Sequence, residues 1–548
     1  MAGKLVVSNG PAREALRQGV DALSAALAVT YGPLGGNVGL GLAHHRRPLL
    51  TRDGAAVARE LAAPDPVANL GVRLLRDAVL RTGDAAGDGT TLAAILAQAL
   101  IDEGLRAIAA GAEPMALRRG IEAAAGHAAR CIKEQAIPIA PHDGDAWRTT
   151  IAAVAASAAH DEALGQIVAI AFERAAAAGG GGSVAVELGK GRRPEVVAVA
   201  GGQFECGYVS PYFITDFSRR EAVVEEPYIL VTREKVARHE DVVPLLESLL
   251  QLGKKHLVVV AEEITGDALA TLVVNRLRGT MKLLAVRLAG DDAQRLAAFD
   301  DLCALTGATL IAPETGKRLA LAFIGDLGRA ERVVATQQQL TVIGGKGKPE
   351  RLAAAARWLE AELQQAQSEV RRALLRRRLS RLSGGLVVIR AGGATEAEAQ
   401  EQKGRLERAV SAARAALEEG IVPGGGIALL NAQAAVDRLL DGGALSGDEA
   451  WGARIVRRAL EAPLRRLAQN AGYSGSAVVE AVRQHQRHGS NTRIGFDVLR
   501  GDYADLVDRG VVDPAKVVRL ALEHAASAAG TLLTVEAAVV PLPRAVSA

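Results

Sequence analysis

Aromatic residues make up only 3% of this 548-residue sequence. So few rings exclude a base-stacking surface for single-stranded nucleic acid. Cysteine is scarce as well: Cys131, Cys206 and Cys303 lie far apart and form no CxxC pair. That spacing argues against a disulfide framework or a thiolate zinc site and fits free thiols in a reducing compartment. No apolar run reaches the ~18 residues that a membrane-spanning helix needs. The opening residues, Met1-Ala2-Gly3-Lys4-Leu5-Val6, lack the charged-then-apolar order of a secretion signal. A large excess of one charge is missing too. Lys plus Arg number 65 against 62 Asp plus Glu, a net of +3, which gives no strong field toward nucleic acid or an anionic membrane. The expectation is a cytoplasmic protein with neither nucleic acid nor membrane as partner. A chain this long should hold several domains with large buried cores.

What is present is a small-residue loop, Asp84-Ala85-Ala86-Gly87-Asp88-Gly89-Thr90-Thr91, running straight into an apolar helix. Leu92, Ile95, Leu96, Ala99 and Leu100 recur on one helical face. The first turn of such a helix has free N–H groups and partial positive charge, and glycines let the backbone approach an anion. Asp88 is placed to hold a Mg²⁺ ion whose shell phosphate oxygens complete. Alone, the pattern also fits an ordinary capped helix after a turn.

Six motifs in order extend the pattern. They are Ala28-Val29-Thr30-Tyr31-Gly32-Pro33-Leu34-Gly35-Gly36-Asn37-Val38, Thr51-Arg52-Asp53-Gly54, Gly207-Tyr208-Val209-Ser210-Pro211-Tyr212-Phe213, Ala268–Asn275, Glu418–Gly426 and Val512–Val517. With the Asp88 loop they resemble the group I chaperonins, the GroEL type, over nearly the whole chain. The resemblance implies an α/β multidomain fold. A mainly helical equatorial domain, 1–135 with 419–548, would bind ATP and make ring contacts. A small α+β intermediate domain, 136–200 with 385–418, would act as hinge. An α/β apical domain, 201–384, would bind polypeptide. It also implies Mg²⁺ and ATP as cofactors, and Thr30, Tyr31, Gly32, Pro33, Asp88, Gly89, Thr90, Thr91, Leu92, Gly425, Asp497, Val498, Leu499 and Asp513 as nucleotide-binding residues. Implied partners are unfolded polypeptide clients, a GroES-type co-chaperonin, and further copies in two seven-membered rings or in mixed rings.

The residue pattern agrees with this order. Residues 12–29 read as a helix with Leu16, Val20, Leu23 and Leu27 on one stripe, ended by Tyr31-Gly32-Pro33. Pro138 and the polar run Pro141–Asp145 mark a change of direction. The run Ala175–Ser183 reads as a helix stop and turn before a strand at Val184–Val186. From 201 to 384 strands alternate with helices: Tyr228–Val231, Val242–Leu252, His256–Ala261, Asp267–Leu277, Lys282–Val286 and Thr309–Ile311. A helix over 349–382 carries Leu359, Leu363, Val370 and Leu374 on one stripe. The arginines at 371, 372, 376, 377 and 378 read as a solvated face of it. Gly201 and Gly385, and Pro138 and Gly420, fall where the resemblance places hinges. His44-His45 reads as a loop. The C-terminal residues lack the family's Gly-Met tail.

The resemblance implies that Tyr208, Tyr212, Phe213, Val243, Leu246, Leu269, Val273 and Val274 form an apolar apical groove for polypeptide. On sequence alone such residues are more often core, and the resemblance reverses that for Val243, Leu246, Leu269, Val273 and Val274. A nonnative client offers apolar segments without fixed shape, so exposed apolar area is the physical requirement. The nucleotide site departs from the family. Counting back from Gly425, Arg408 stands where the hydrolytic aspartate belongs. A guanidinium accepts no proton, and losing a positioned base costs ~10²–10⁴-fold in rate. Glu407 points about 100° away on the same helix and would serve only if that helix rotated. Arg408 could instead stabilise transition-state charge as an arginine finger. Asp53 remains as a second acid. Leu92 replaces a threonine, Leu34 and Gly36 replace two basic residues, and Phe496-Asp497 replaces Tyr-Asn. Cys206 replaces an arginine that would pair with the acid at Glu396 of a neighbouring subunit. Two readings follow: a chaperonin with slowed hydrolysis, or a binding-only paralogue acting as a holdase or in mixed rings.

Overall fold

The structure is a computed structural model and describes residues 4–41, 49–139, 144–177, 183–189, 191–216, 220–366, 368–383 and 386–541. His44-His45, residues 141–143 and 178–182, Gly385 and the tail from 542 lie outside them. The chain forms two compact units, one from 1–169 with 404–548 and the other from 170–403.

The first unit is a helical body. The helix Asn9–Ala28 buries the predicted stripe of Leu16, Val20, Leu23 and Leu27. It packs on Pro66–Ala86, which in turn meets Thr90–Ala109 and Ala515–Leu533. The contact between the first two is too close for side chains: a Cβ on Gly19 would lie 1.8 Å from the Ala68 carbonyl oxygen. An antiparallel ribbon joins the chain ends, Lys4–Ser8 against Ala537–Pro541. A second short pair, Ile421–Pro423 with Val512–Pro514, sets Val422 opposite Asp513. Pro138 follows a bridge between Ile137 and Ile421, and Gly420 turns with φ +82° beside it.

The second unit is α/β. Its main sheet has eight strands in the order Gly328–Arg329, Tyr228–Thr232, His256–Ala261, Lys282–Leu288, Gly201–Tyr208, Gln339–Ile343, Arg332–Ala335 and Ala222–Glu225. Tyr228–Thr232, His256–Ala261 and Lys282–Leu288 run parallel, linked through the helices Val243–Gln251 and Gly266–Leu277. A three-stranded sheet of Val184–Leu188, Leu386–Ala391 and Glu195–Val199 completes the unit.

Three expectations need correction. Thr309–Ile311 is not a strand. Ile311 only bridges Thr232, because the edge beside Tyr228–Thr232 is shared with Gly328–Arg329 and Pro313 follows, which has no N–H to continue a ladder. The single helix over 349–382 is two, Pro349–Gln365 and Glu369–Ser383, broken at an extended Ala366. The two pack on each other, so Leu359 and Leu375, not Leu374, are buried between them. The basic face is not simply solvated. Arg378 pairs with the fully buried Asp301 at 2.8 Å and stacks on Trp358, and Arg381 approaches Asp301 at 3.5 Å and lies over Phe204. Gly201 opens a strand, pairing with Ile343.

Candidate functional site

The helix Pro66–Ala86 ends on Gly87 with φ +77°, and Thr90–Ala109 begins after Gly89 with φ +85°. Two left-handed glycines thus make a three-residue turn in which Asp88 sits, its carboxylate accepting the Gly89 N–H at 2.6 Å. The first N–H groups of Thr90–Ala109 have no intrahelical acceptor and no side-chain cap. Thr91 Oγ1 lies 3.3 Å from Thr30 Oγ1, which donates to the Leu27 carbonyl at 2.8 Å. A Cβ at Gly54 would come within 2.7 Å of Thr90 Oγ1 and 2.8 Å of Thr91 Oγ1, so only glycine allows this gathering of hydroxyls.

The first loop is held from outside. Asn470 donates to the carbonyls of Ala28 and Tyr31 at 2.8 and 2.9 Å, and Arg52 donates to those of Gly32 and Pro33 at 3.0 and 3.2 Å. Leu467 packs against Gly32 and Gly425, joining the two loops. Sequence reading gave Arg52 no role and missed Asn470 and Leu467. All three act from positions that no local motif connects to the loop.

Asp88 and Asp513 keep some exposed surface, yet enough protein surrounds their carboxyl groups that burial dominates their protonation. Burial raises the Asp88 pKa; the Gly89 N–H and Arg408 pull it back, and Asp53 pushes it further up. Asp513 is pushed up to about 6, first by burial and then by Asp88. Burial and both carboxylates raise Tyr31. Such a pair is relieved by a cation. Among the described residues no three His, Cys, Asp or Glu side chains gather as a metal cluster. A divalent ion at Asp88 therefore depends on ligand oxygens, the arrangement Mg²⁺ favours with phosphates.

Arg408 faces this cradle. Its guanidinium meets the Asp53 carboxylate at 3.4 Å, while the other Asp53 oxygen accepts the Ala55 N–H at 2.9 Å as the cap of Gly54–Glu60. Both oxygens of the surviving acid are thus engaged. A Cβ on Gly87 would lie 1.9 Å from Cβ of Ser411, one turn beyond Arg408. That contact resists the rotation Glu407 would need. His160 is nearby in a left-handed conformation, its pKa lowered to about 4 by burial and by Arg52, Arg408 and Arg405. The residue nonetheless keeps exposed surface, and nothing in the sequence marked it.

The other expected nucleotide residues are engaged in different ways, and Tyr31 packs against the cluster that holds Phe496 and Val498. Leu92 is buried, so it offers the site only backbone. Asp497 is occupied: it accepts the N–H groups of Leu499 and Arg500 and pairs with Arg509 at 3.3 Å. Its side chain holds a turn. Val498 is nearly buried and Leu499 exposed. Phe496 packs edge-on against Tyr473 at 5.0 Å.

The expected apolar groove in the second unit divides. Tyr212 is 62% and Val274 43% exposed, and Tyr208, Val243, Leu269 and Val273 are partly buried. Phe213 and Leu246 belong to the core, which corrects the expectation for both: their sides of the short helices face the sheet. Leu277, Leu252, Leu321 and Phe323 are exposed and were missed, since helical spacing alone does not say which face is outward. Cys206 is buried within its strand, and burial raises its pKa.

Among solved structures, the chaperonin gp146 from the bacteriophage EL 2 (Pseudomonas aeruginosa), determined in the presence of ATP-BeFx, superposes with a TM-score of 0.70 at 20% identity, covering 98% of this chain and 99% of that one. This likeness shows the fold. Residues 23–542 match the TCP-1/cpn60 chaperonin family, and the chain therefore belongs to that family.

Proposed function

We propose that this protein is a ring-forming chaperonin that binds Mg-ATP and hydrolyses it slowly. Family membership supports a chaperone role, and the structural neighbour was solved with a nucleotide analogue. Thr30–Pro33, Asp88–Thr91, Gly425 and Asp513 would hold the nucleotide, with Mg²⁺ at Asp88. When bound, the ion supplies charge neutralisation on the phosphate oxygens. Leu269, Val273, Val274 and Tyr212 would meet the apolar segments of an unfolded client. Encapsulation under a GroES-type lid, in rings of seven in the cytoplasm, would limit aggregation of that exposed surface.

The observation that carries the slow-hydrolysis reading is the Arg408–Asp53 ion pair. Attack by water needs a group that orients it and accepts its proton. Arg408 accepts none, and it occupies the acid that remains. Steady-state ATPase of purified rings, wild type against Arg408→Asp, tests this. We expect the variant to be faster by ~10²-fold or more. Equal rates would remove the role given to Arg408. If neither protein turns over ATP alone, the holdase or mixed-ring reading replaces this one.

A further inference from the structure

The second unit carries a cleft of about 580 Å³ at one edge of its main sheet, far along the chain from the nucleotide motifs. It opens where the parallel strands Tyr228–Thr232, His256–Ala261 and Lys282–Leu288 reach their carboxyl ends, the position at which open parallel sheets take ligands. Its charged lining is Arg233, Lys235, Glu262, Glu263, Arg287 and Arg295. Lys235 meets Glu263 at 2.8 Å, and Arg295 meets Glu262 at 3.2 Å and also pairs with the exposed Asp292. Those pairs cancel. Arg233 reaches Glu314, 63% exposed and hence well screened by water. The Arg287 side chain is exposed and makes no ion pair or hydrogen bond among the described residues. Among the lining residues four cations thus face two acids, with the exposed Glu314 and Asp292 as further partners outside the lining.

The floor is fixed. Arg295 donates to the Gly290 carbonyl at 2.9 Å, and Asp291 caps Asp292–Thr306 by accepting the Gln294 N–H at 2.8 Å. Gly290 turns with φ +103°, and a Cβ there would lie 2.4 Å from Gln294 Oε1. Guanidinium forks on a rigid rim suit planar or tetrahedral oxyanions, which they grip through two parallel hydrogen bonds.

We propose that this cleft binds a small polyanion bearing phosphate or carboxylate groups, with Arg287 and Arg233 as its principal partners. The site is separate from the nucleotide cradle and does not depend on ATP binding. Calorimetric titration of the full chain with inorganic phosphate and, separately, with citrate tests it, against sodium chloride at matched ionic strength and with ADP present throughout. We expect one of the two anions to bind with a dissociation constant of about 1 mM or below. Arg287→Gln, and independently Arg233→Gln, should weaken it by about tenfold or more, the value of a charge-assisted hydrogen bond. Phosphate binding without citrate would identify a phosphate-bearing ligand, and the reverse a carboxylate. Absence of binding by both anions, or affinities unchanged in both variants, would overturn the proposal.

Discussion

On the proposed function, the two units solve opposite recognition problems. The cradle around Asp88 must meet one defined shape, and its backbone is fixed by contacts that tolerate no added atom, as at Gly54 and Gly87. The apolar face around Val274 and Leu277 must meet many shapes, and it needs only exposed hydrocarbon. One substitution can therefore invert the chemistry of the first, as we propose for Arg408. In the second a change matters only through the area it adds or removes.

The largest contrast should come from adjacent residues of the apolar region. Phe213→Ala removes a core ring and should cost about 3–5 kcal/mol, whereas Tyr212→Ala should stay within about 0.5 kcal/mol. Denaturant unfolding measures both. Only the Tyr212 change should weaken capture of an unfolded client without loss of stability. Equal destabilisation would mean that the two faces are not distinct.

In the cradle, Gly87→Ala meets a left-handed backbone and the Ser411 side chain together. A cost of about 1–3 kcal/mol is expected, with weaker nucleotide binding. If stability and binding both survive, the loop is not clamped on the Arg408 helix.

A smaller effect should follow pH. The Asp513 pKa, about 6, lies above its unfolded value, so the folded state binds more protons between roughly pH 4 and 6. Its favourable contribution is complete below the unfolded pKa and is lost as pH rises through 6. Asp513→Asn should therefore raise the melting temperature of the nucleotide-free protein at pH 7.5, and the difference should shrink toward pH 5. Thermal scans across that range check it; a gap independent of pH would contradict the assignment.

Much of this was legible in the sequence. The Leu16–Leu27 stripe, the alternating second unit and the Gly87–Gly89 loop follow from local periodicity and turn chemistry. What sequence could not give were pairings across the fold. Arg408 and Asp53 are 355 positions apart, and nothing local tells that they meet. Nor did spacing reveal that Phe213 and Leu246 face inward, or that Arg378 reaches a buried Asp301. A helical stripe fixes which residues share a face but not what that face meets. The break at Ala366 was hidden because both helices carry the same apolar period.

Whether Arg408 silences Asp53 is tested most directly by Asp53→Asn in two backgrounds, reading phosphate release at saturating Mg-ATP. In the wild-type chain we expect less than about a 3-fold change, and in the Arg408→Asp chain a loss of about 10–100-fold, a coupling that only interacting residues show. A comparable loss in the wild-type chain would contradict the claim, because it would put Asp53 to work while Arg408 is in place.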